Sequence, residues 1–289
     1  MPSWMVSSVT ALAFLPGVFL GSAAVPPRAA AEATTRTVFV TVTDSKGAAV
    51  TDLSAADFVV KEGGKAREIT SAEPAKAGMR IAMLIDERLV ADGPTRAGMF
   101  EFMKRLQAAS EFSIITVGIR NTVVVDYTSD LNTHVAAINK FTLNPGPVSN
   151  LLEGIGDFSK ILAKQRPPRP VIVVVAAPSG GEVGGVLVDE ALNALRQAGA
   201  MLNAVALGSG GDGAGQVLDE GTRRSGGRRT NVAITTAIPN ALNQIADDLS
   251  SQYQITYALP DGVKPDKRVS ITVSRKGVTL RAPTVMPDK

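Results

Sequence analysis

Residues 171–175 read Val-Ile-Val-Val-Val, an unbroken β-branched run. A strand with one wet face alternates apolar and polar residues. A continuous apolar run needs cover on both faces, as a central strand of a parallel sheet has. Parallel neighbours need crossovers long enough to hold a helix. The flanks supply such helices. Leu151, Leu152, Ile155, Phe158, Ile161 and Leu162 form one helical stripe before the run. Val188, Ala191, Leu192, Leu195 and Ala198 form another after it, closed by Gly199. Arg166-Pro167-Pro168-Arg169-Pro170 stops the first helix.

The same alternation runs from residue 80 to residue 249. Strands are expected at 80–85, 112–117, 122–127, 201–207 and 231–235, and helices at 94–108, 132–141, 216–224 and 238–249. Only residues 118–121 join the strands 112–117 and 122–127, so that pair is an antiparallel hairpin. Together these elements predict an α/β fold, a doubly wound, mostly parallel six-stranded sheet. Both flanks lack helical spacing. Val38, Val40 and Val42 alternate with Thr37, Phe39 and Thr41, and turn residues punctuate the stretch 36–74. The end of the chain reads as strands at 253–259, 268–273 and 278–282. The expected partition is an N-terminal β segment at 36–74, an α/β domain at 79–250 and a C-terminal β segment at 251–285. Neither β segment has enough strands to stand alone, so the two are expected to pair.

Residues 1–27 carry no charged side chain. The apolar stretch 5–25 is followed by Ala-rich sequence, which predicts a signal peptide over 1–33 and an exported protein, periplasmic, cell-surface or extracellular. An uncleaved membrane anchor is the alternative for this segment, since about 20 apolar residues can span a bilayer. There is no cysteine, which excludes disulfides, thiolate metal sites and a cysteine nucleophile. One histidine, His134, excludes a multi-histidine zinc site, and it reads as a lone surface residue. With 30 Lys+Arg against 27 Asp+Glu the net charge is +3, a weak argument for a nucleic-acid partner.

Ligands of open α/β sheets bind beyond the carboxyl ends of the strands. Three segments fall there: Asp86-Glu87-Arg88-Leu89-Val90, the stretch 145–150 ending in Ser149-Asn150, and Ala176-Ala177 with the glycine loop 180–185. The order of elements resembles a von Willebrand factor type A domain, within a related bacterial secreted family. The flanks carry the more specific likeness. One reads Val40-x-Val42-x-Asp44-x-x-Gly47-x-x-Val50-x-x-Leu53-x-x-x-Asp57-Phe58-x-Val60-x-Glu62-x-Gly64. The other reads Ile245-Ala246-x-x-Leu249-x-x-Gln252-Tyr253-x-Ile255-x-Tyr257. The resemblance covers residues 36–285.

That family often holds a divalent cation at a metal-ion-dependent adhesion site, through Asp-x-Ser-x-Ser, a Thr and a second Asp. Carried over, Asp86 matches the first Asp and Ser149 stands for the Thr. Arg88 and Val90 replace the two Ser, and Ala177 replaces the second Asp. Hard cations need several convergent oxygens, so no metal and no cofactor is expected. Arg88 is expected to fill the position instead, with donors to Asp86 and Ser149. Gly208-Ser209-Gly210-Gly211-Asp212-Gly213 satisfies G-x-G-x-x-G, but no acidic residue follows the next strand, so it reads as a loop. Arg223, Arg224, Arg228 and Arg229 read as a solvated helix end. The expectation is a non-enzymatic, metal-independent protein-interaction or adhesion module with a protein partner. Its face consists of Asp86, Glu87, Arg88, Ser149 and Asn150. A metal-dependent adhesin with altered ligands and an enzyme on the same face are the alternatives.

Overall fold

The computed structural model describes Met1 and residues 34–140, 149–177, 186–208 and 213–288. The expected leader at 2–33 and the glycine loops at 180–185 and 209–212 lie outside the described residues. Residues 33–289 form one compact unit.

The chain enters through four strands: β1 (Thr34–Asp44), β2 (Phe58–Glu62), β3 (Lys65–Arg67) and β4 (Ile69–Pro74). The α/β portion follows as β5 (Met79–Asp86), α1 (Glu87–Val90), α2 (Gly93–Leu106), β6 (Ser110–Val117), β7 (Thr122–Thr128) and α3 (Leu131–Lys140). It continues through α4 (Leu151–Gln165), β8 (Arg169–Ala176), α5 (Val188–Ala198), β9 (Met201–Leu207), α6 (Gly213–Ser225), β10 (Arg229–Val232) and α7 (Ile238–Ser250). Three strands end it: β11 (Tyr253–Leu259), β12 (Val269–Val273) and β13 (Val278–Arg281).

The six-stranded sheet has the order β10-β9-β8-β5-β6-β7. All neighbours are parallel except β7, which returns antiparallel on β6. The β-branched run sits in β8, between β5 and β9. Its side chains divide between two cores. Val171, Val173 and Val175 join Met99, Phe102 and Leu242 on the side of α2 and α7. Ile172 and Val174 join Ile155, Leu162 and Leu192 on the side of α4 and α5. Period-two geometry sends alternate residues to opposite faces, so only a doubly covered strand can be apolar throughout.

Local signals set the helix ends. The Asp92 carboxylate accepts from the backbone N–H of Thr95 at 2.9 Å, with Pro94 in the first turn of α2. Gly199 ends α5 with φ +60°, the left-handed conformation that glycine takes without strain. The last sheet strand is shorter and earlier than expected, at 229–232 rather than 231–235. Ile234 leaves the sheet, and residues 235–237 form a 3-10 turn into α7.

The two chain ends share a second β region. β1 pairs antiparallel with β11, Val38 opposite Ile255 and Val40 opposite Tyr253, and with β13 on its other edge. These strands and β4 form the sheet β13-β1-β11-β4, while β2 takes part in a three-stranded sheet β12-β2-β3. Val40, Val42, Phe58, Val60, Ile255 and Tyr257 fill one core between them. The motif residues of the two flanks meet there. The Tyr257 hydroxyl donates to Glu62 Oε2 at 2.6 Å, Arg36 Nη1 pairs with the same oxygen at 3.2 Å, and Tyr253 Oη accepts from the Leu53 N–H at 2.9 Å.

Two sequence expectations are corrected. His134 is fully buried rather than a surface residue: its ring lies edge-on to Phe112, and its nitrogens face the carbonyls of Asp130 and Phe112 at 2.8 and 3.0 Å. The inward side of α3 holds it against β6. The basic cluster is a solvated helix end only in part: Arg223 and Arg224 reach solvent in the last turn of α6, while Arg228 and Arg229 turn inward. Arg223 and Arg224 pair with Glu220, Arg228 with Asp248 and Arg229 with Asp219. No helix among the described residues is long and apolar enough to cross a membrane.

Candidate functional site

Asp86 is the last residue of β5, which runs between β6 and β8. The strand therefore delivers it to the middle of the sheet's carboxyl edge. The chain turns there into the short helix α1, and the Asp86 carboxylate caps it by accepting from the Arg88 N–H at 2.9 Å. The turn brings the Arg88 side chain back over the same carboxylate. Nε donates to Oδ1 at 2.9 Å and Nη2 to Oδ2 at 2.6 Å, a bidentate pair. The Ala177 N–H adds a donor to Oδ2 at 3.3 Å, and Nη2 also donates to the Ala177 carbonyl. The Asp86 bond and charge hold the Arg88 guanidinium further above its ordinary pKa. Asp86 is buried, at 2% exposure, while the Arg88 side chain keeps 26%.

The arginine turns inward as the sequence suggested, with one difference. Its second acceptor is the carbonyl of Ala177 rather than Ser149.

Glu87 lies beside the pair, half-buried against Gly118, where any side chain would collide with its carboxylate. Burial first, and the neighbouring Asp86 charge second, push the Glu87 carboxyl above its ordinary pKa. Ser149 and Asn150 are both buried, at 9% and 8% exposure. Asn150 fastens the start of α4: its side chain donates to Glu153, and its carbonyl accepts from Asn121 Nδ2 at 3.1 Å and the Gly154 N–H at 3.0 Å. Of the five residues picked from sequence, Glu87 and Arg88 therefore offer the most to solvent, while Asp86, Ser149 and Asn150 are buried.

This donor set does not fit a divalent cation. Both Asp86 oxygens already accept from Arg88. Val90 is 2% exposed in the α2-side core, and Ala177 has no oxygen on its side chain. No group of three or more His, Asp or Glu residues with metal-binding geometry occurs among the described residues. A guanidinium at the expected cation position would also repel a second positive charge.

The same edge carries apolar residues that the sequence reading did not single out. Ile119 in the β6–β7 turn is 54% exposed, Leu187 at the start of α5 is 66% exposed, and Ile234 after β10 is 62% exposed. Each follows a strand's carboxyl end or opens the helix after it. Strand spacing of about 4.8 Å places β10 about 19 Å from β6, so these residues extend along the edge on both sides of Asp86. Ile119 is a single apolar residue in a polar turn and gives no periodic signal, while Leu187 lies within Val186-Leu187-Val188 and Ile234 within the strand expected at 231–235, so neither stood out as exposed.

No protein-family model matches the sequence, and no curated protein matches it. Several solved structures are similar. A von Willebrand factor type A protein from Catenulispora acidiphila aligns at 9% identity over 87% of this chain and 74% of that one, with a TM-score of 0.48. The D319A mutant of the PilB minor pilin from Streptococcus sanguinis aligns at 12% identity over 61% of this chain, with a TM-score of 0.49. The von Willebrand factor domain of the type V pili tip protein Mfa5 from Porphyromonas gingivalis aligns at 9% identity over 61% of this chain and 96% of that one, with a TM-score of 0.46. The match spans 62% of the PilB length. The doubly wound α/β architecture itself rests on the sheet order and connections of this chain.

Proposed function

We propose that this chain is an exported protein-interaction module that docks a protein partner on the carboxyl edge of its parallel sheet without a metal ion. The observation that carries the reading is the closure of Asp86 by Arg88, flanked along the same edge by exposed Ile119, Leu187 and Ile234. The closure takes away the carboxylate a bridging cation would need. The apolar residues supply the contacts that protein interfaces are built on. Glu87 forms no ion pair among the described residues, and it suits a basic side chain of the partner. No nucleic-acid or cofactor role enters this reading, and neither does catalysis. The uncharged apolar leader supports export.

A photo-crosslinker placed in turn at positions 119, 187 and 234 tests the reading in a native envelope fraction. We expect one common protein adduct, formed equally with Mg²⁺ or with chelator and absent when the crosslinker sits at Lys160 on α4. Adducts that require Mg²⁺ would favour a metal-dependent adhesin. Adducts that are the same from position 160 would remove the docking edge.

A further inference from the structure

A cavity of about 310 Å³ lies at the opposite end of the sheet, where β8 and β9 begin and β1 and the C-terminal stretch cross beneath α5. Its volume is at the lower end of the range for small-molecule pockets, about 300–1,000 Å³. Val171, Leu192, Leu195 and Met201 give it apolar walls, all buried. Arg169 also lines it.

Arg169 is 4% exposed. Its Nη1 donates to the Ala77 carbonyl at 3.1 Å, and its Nη2 to the Leu249 carbonyl at 2.9 Å and to Gln252 Oε1 at 2.7 Å. The Phe39 ring lies 5.0 Å from the guanidinium carbon. Each of these partners is neutral, and the buried Nε has no hydrogen-bond partner. Other buried arginines of this chain are handled differently. Arg36 faces Glu62, and Arg229 faces Asp219. Arg169 has no carboxylate among the described residues. Burial pushes it down to about 10, so it is still cationic at neutral pH.

A second arginine at the cavity, Arg166, also lacks an ion pair among the described residues. It is exposed and has φ +51°, the one positive value among the described non-glycine residues. That conformation is the left-handed C-cap of α4, with the Arg166 N–H bonded to the Leu162 carbonyl. The other two arginines lining the cavity are already neutralised, Arg196 by Asp288 and Arg224 by Glu220.

We propose that this cavity binds a small amphipathic carboxylate, its head on Arg169 and its apolar tail against α5. A neutral apolar ligand would leave the buried charge uncompensated. A short polar anion would leave the apolar walls unused. The site is independent of the docking edge, which lies at the other end of the sheet.

Thermal melting of the full chain with decanoate, 1-decanol or acetate, each below micelle-forming concentration, tests this. Decanoate is expected to raise Tm saturably, on the order of 5 °C at a hundred times its Kd. Decanol and acetate are expected to leave Tm unchanged. Arg169 also braces three segments, so its removal can unfold the chain. Ala163→Phe instead narrows the cavity from α4 with Arg169 and its bonds left in place, and it should abolish the decanoate shift. An equal shift with decanol, no saturable shift with decanoate, or a full shift in Ala163→Phe would each overturn the proposal.

Discussion

Single side chains divide into those whose roles can be read from sequence and those whose roles depend on distant partners. Arg88 is of the first kind. It lies two residues from Asp86, and a turn at a strand end brings such neighbours together. Glu62 is of the second. It stands out only as part of the flank motif, yet it is fully buried and accepts from Tyr257, 195 residues away. It also pairs with Arg36 and accepts from the Asp266 N–H at 2.8 Å. Removing one member of a buried ion pair leaves the other charge uncompensated, at a cost of about 3–5 kcal/mol. Glu62→Ala should therefore lose that much stability in urea denaturation, and Glu62→Gln, which keeps an acceptor for Tyr257, should lose less. A loss below about 1 kcal/mol for Glu62→Ala would mean the network is ornamental. His134 and Arg169 were obscure for the same reason. One packs its imidazole against β6. The other sits among prolines that read only as a helix stop.

Elements were more legible than residues, because their signals are periodic. The strands of the parallel sheet and their intervening helices follow from unbroken apolar runs and 3.6-residue stripes. The shift of the last sheet strand to 229–232 reflects a short edge strand, where few side chains are covered and the pattern is weak. The C-terminal stretch after β13 gave no periodic signal at all. Tethers hold it instead. Asp288 accepts from Arg196 at 2.7 and 3.1 Å and from Gln197 at 2.6 Å, and Lys267 lies 3.4 Å away. The Arg196 bonds first, then Gln197, hold its carboxyl at about 2, below the usual 3.8. A carboxyl depressed in the fold stabilises it fully above the unfolded value and loses that contribution as pH falls towards 2. Hydrogen exchange at Met286, whose N–H bonds the Lys267 carbonyl at 2.7 Å, should therefore rise between about pH 4 and pH 2 beyond the intrinsic acid effect. Asp288→Asn should remove that pH dependence and show the raised exchange at pH 5 already. Equal pH profiles for the two chains would contradict the tether.

At the scale of the whole molecule, two cores flank one parallel sheet, and a third core forms where the chain's beginning and end share strands. The sequence pointed to that sharing because neither flank had strands enough to close a sheet. It did not reveal that the shared region splits into two sheets, since pairing between strands some 200 residues apart leaves no local trace. The fold presents one edge with Asp86 at its centre, where Arg88 pairs with both carboxylate oxygens, and we propose that this pair stands in place of a cation. A ligand at a hundred times its Kd stabilises a fold by about 2.7 kcal/mol, a melting shift on the order of 5–10 °C for a chain of this size. The direct measurement is the Tm of the full chain in millimolar Mg²⁺, Mn²⁺ or Ca²⁺ against chelator. With Arg88 closing Asp86, the same Tm is expected in all four. A saturable rise of several degrees that disappears in Asp86→Ala would contradict that closure.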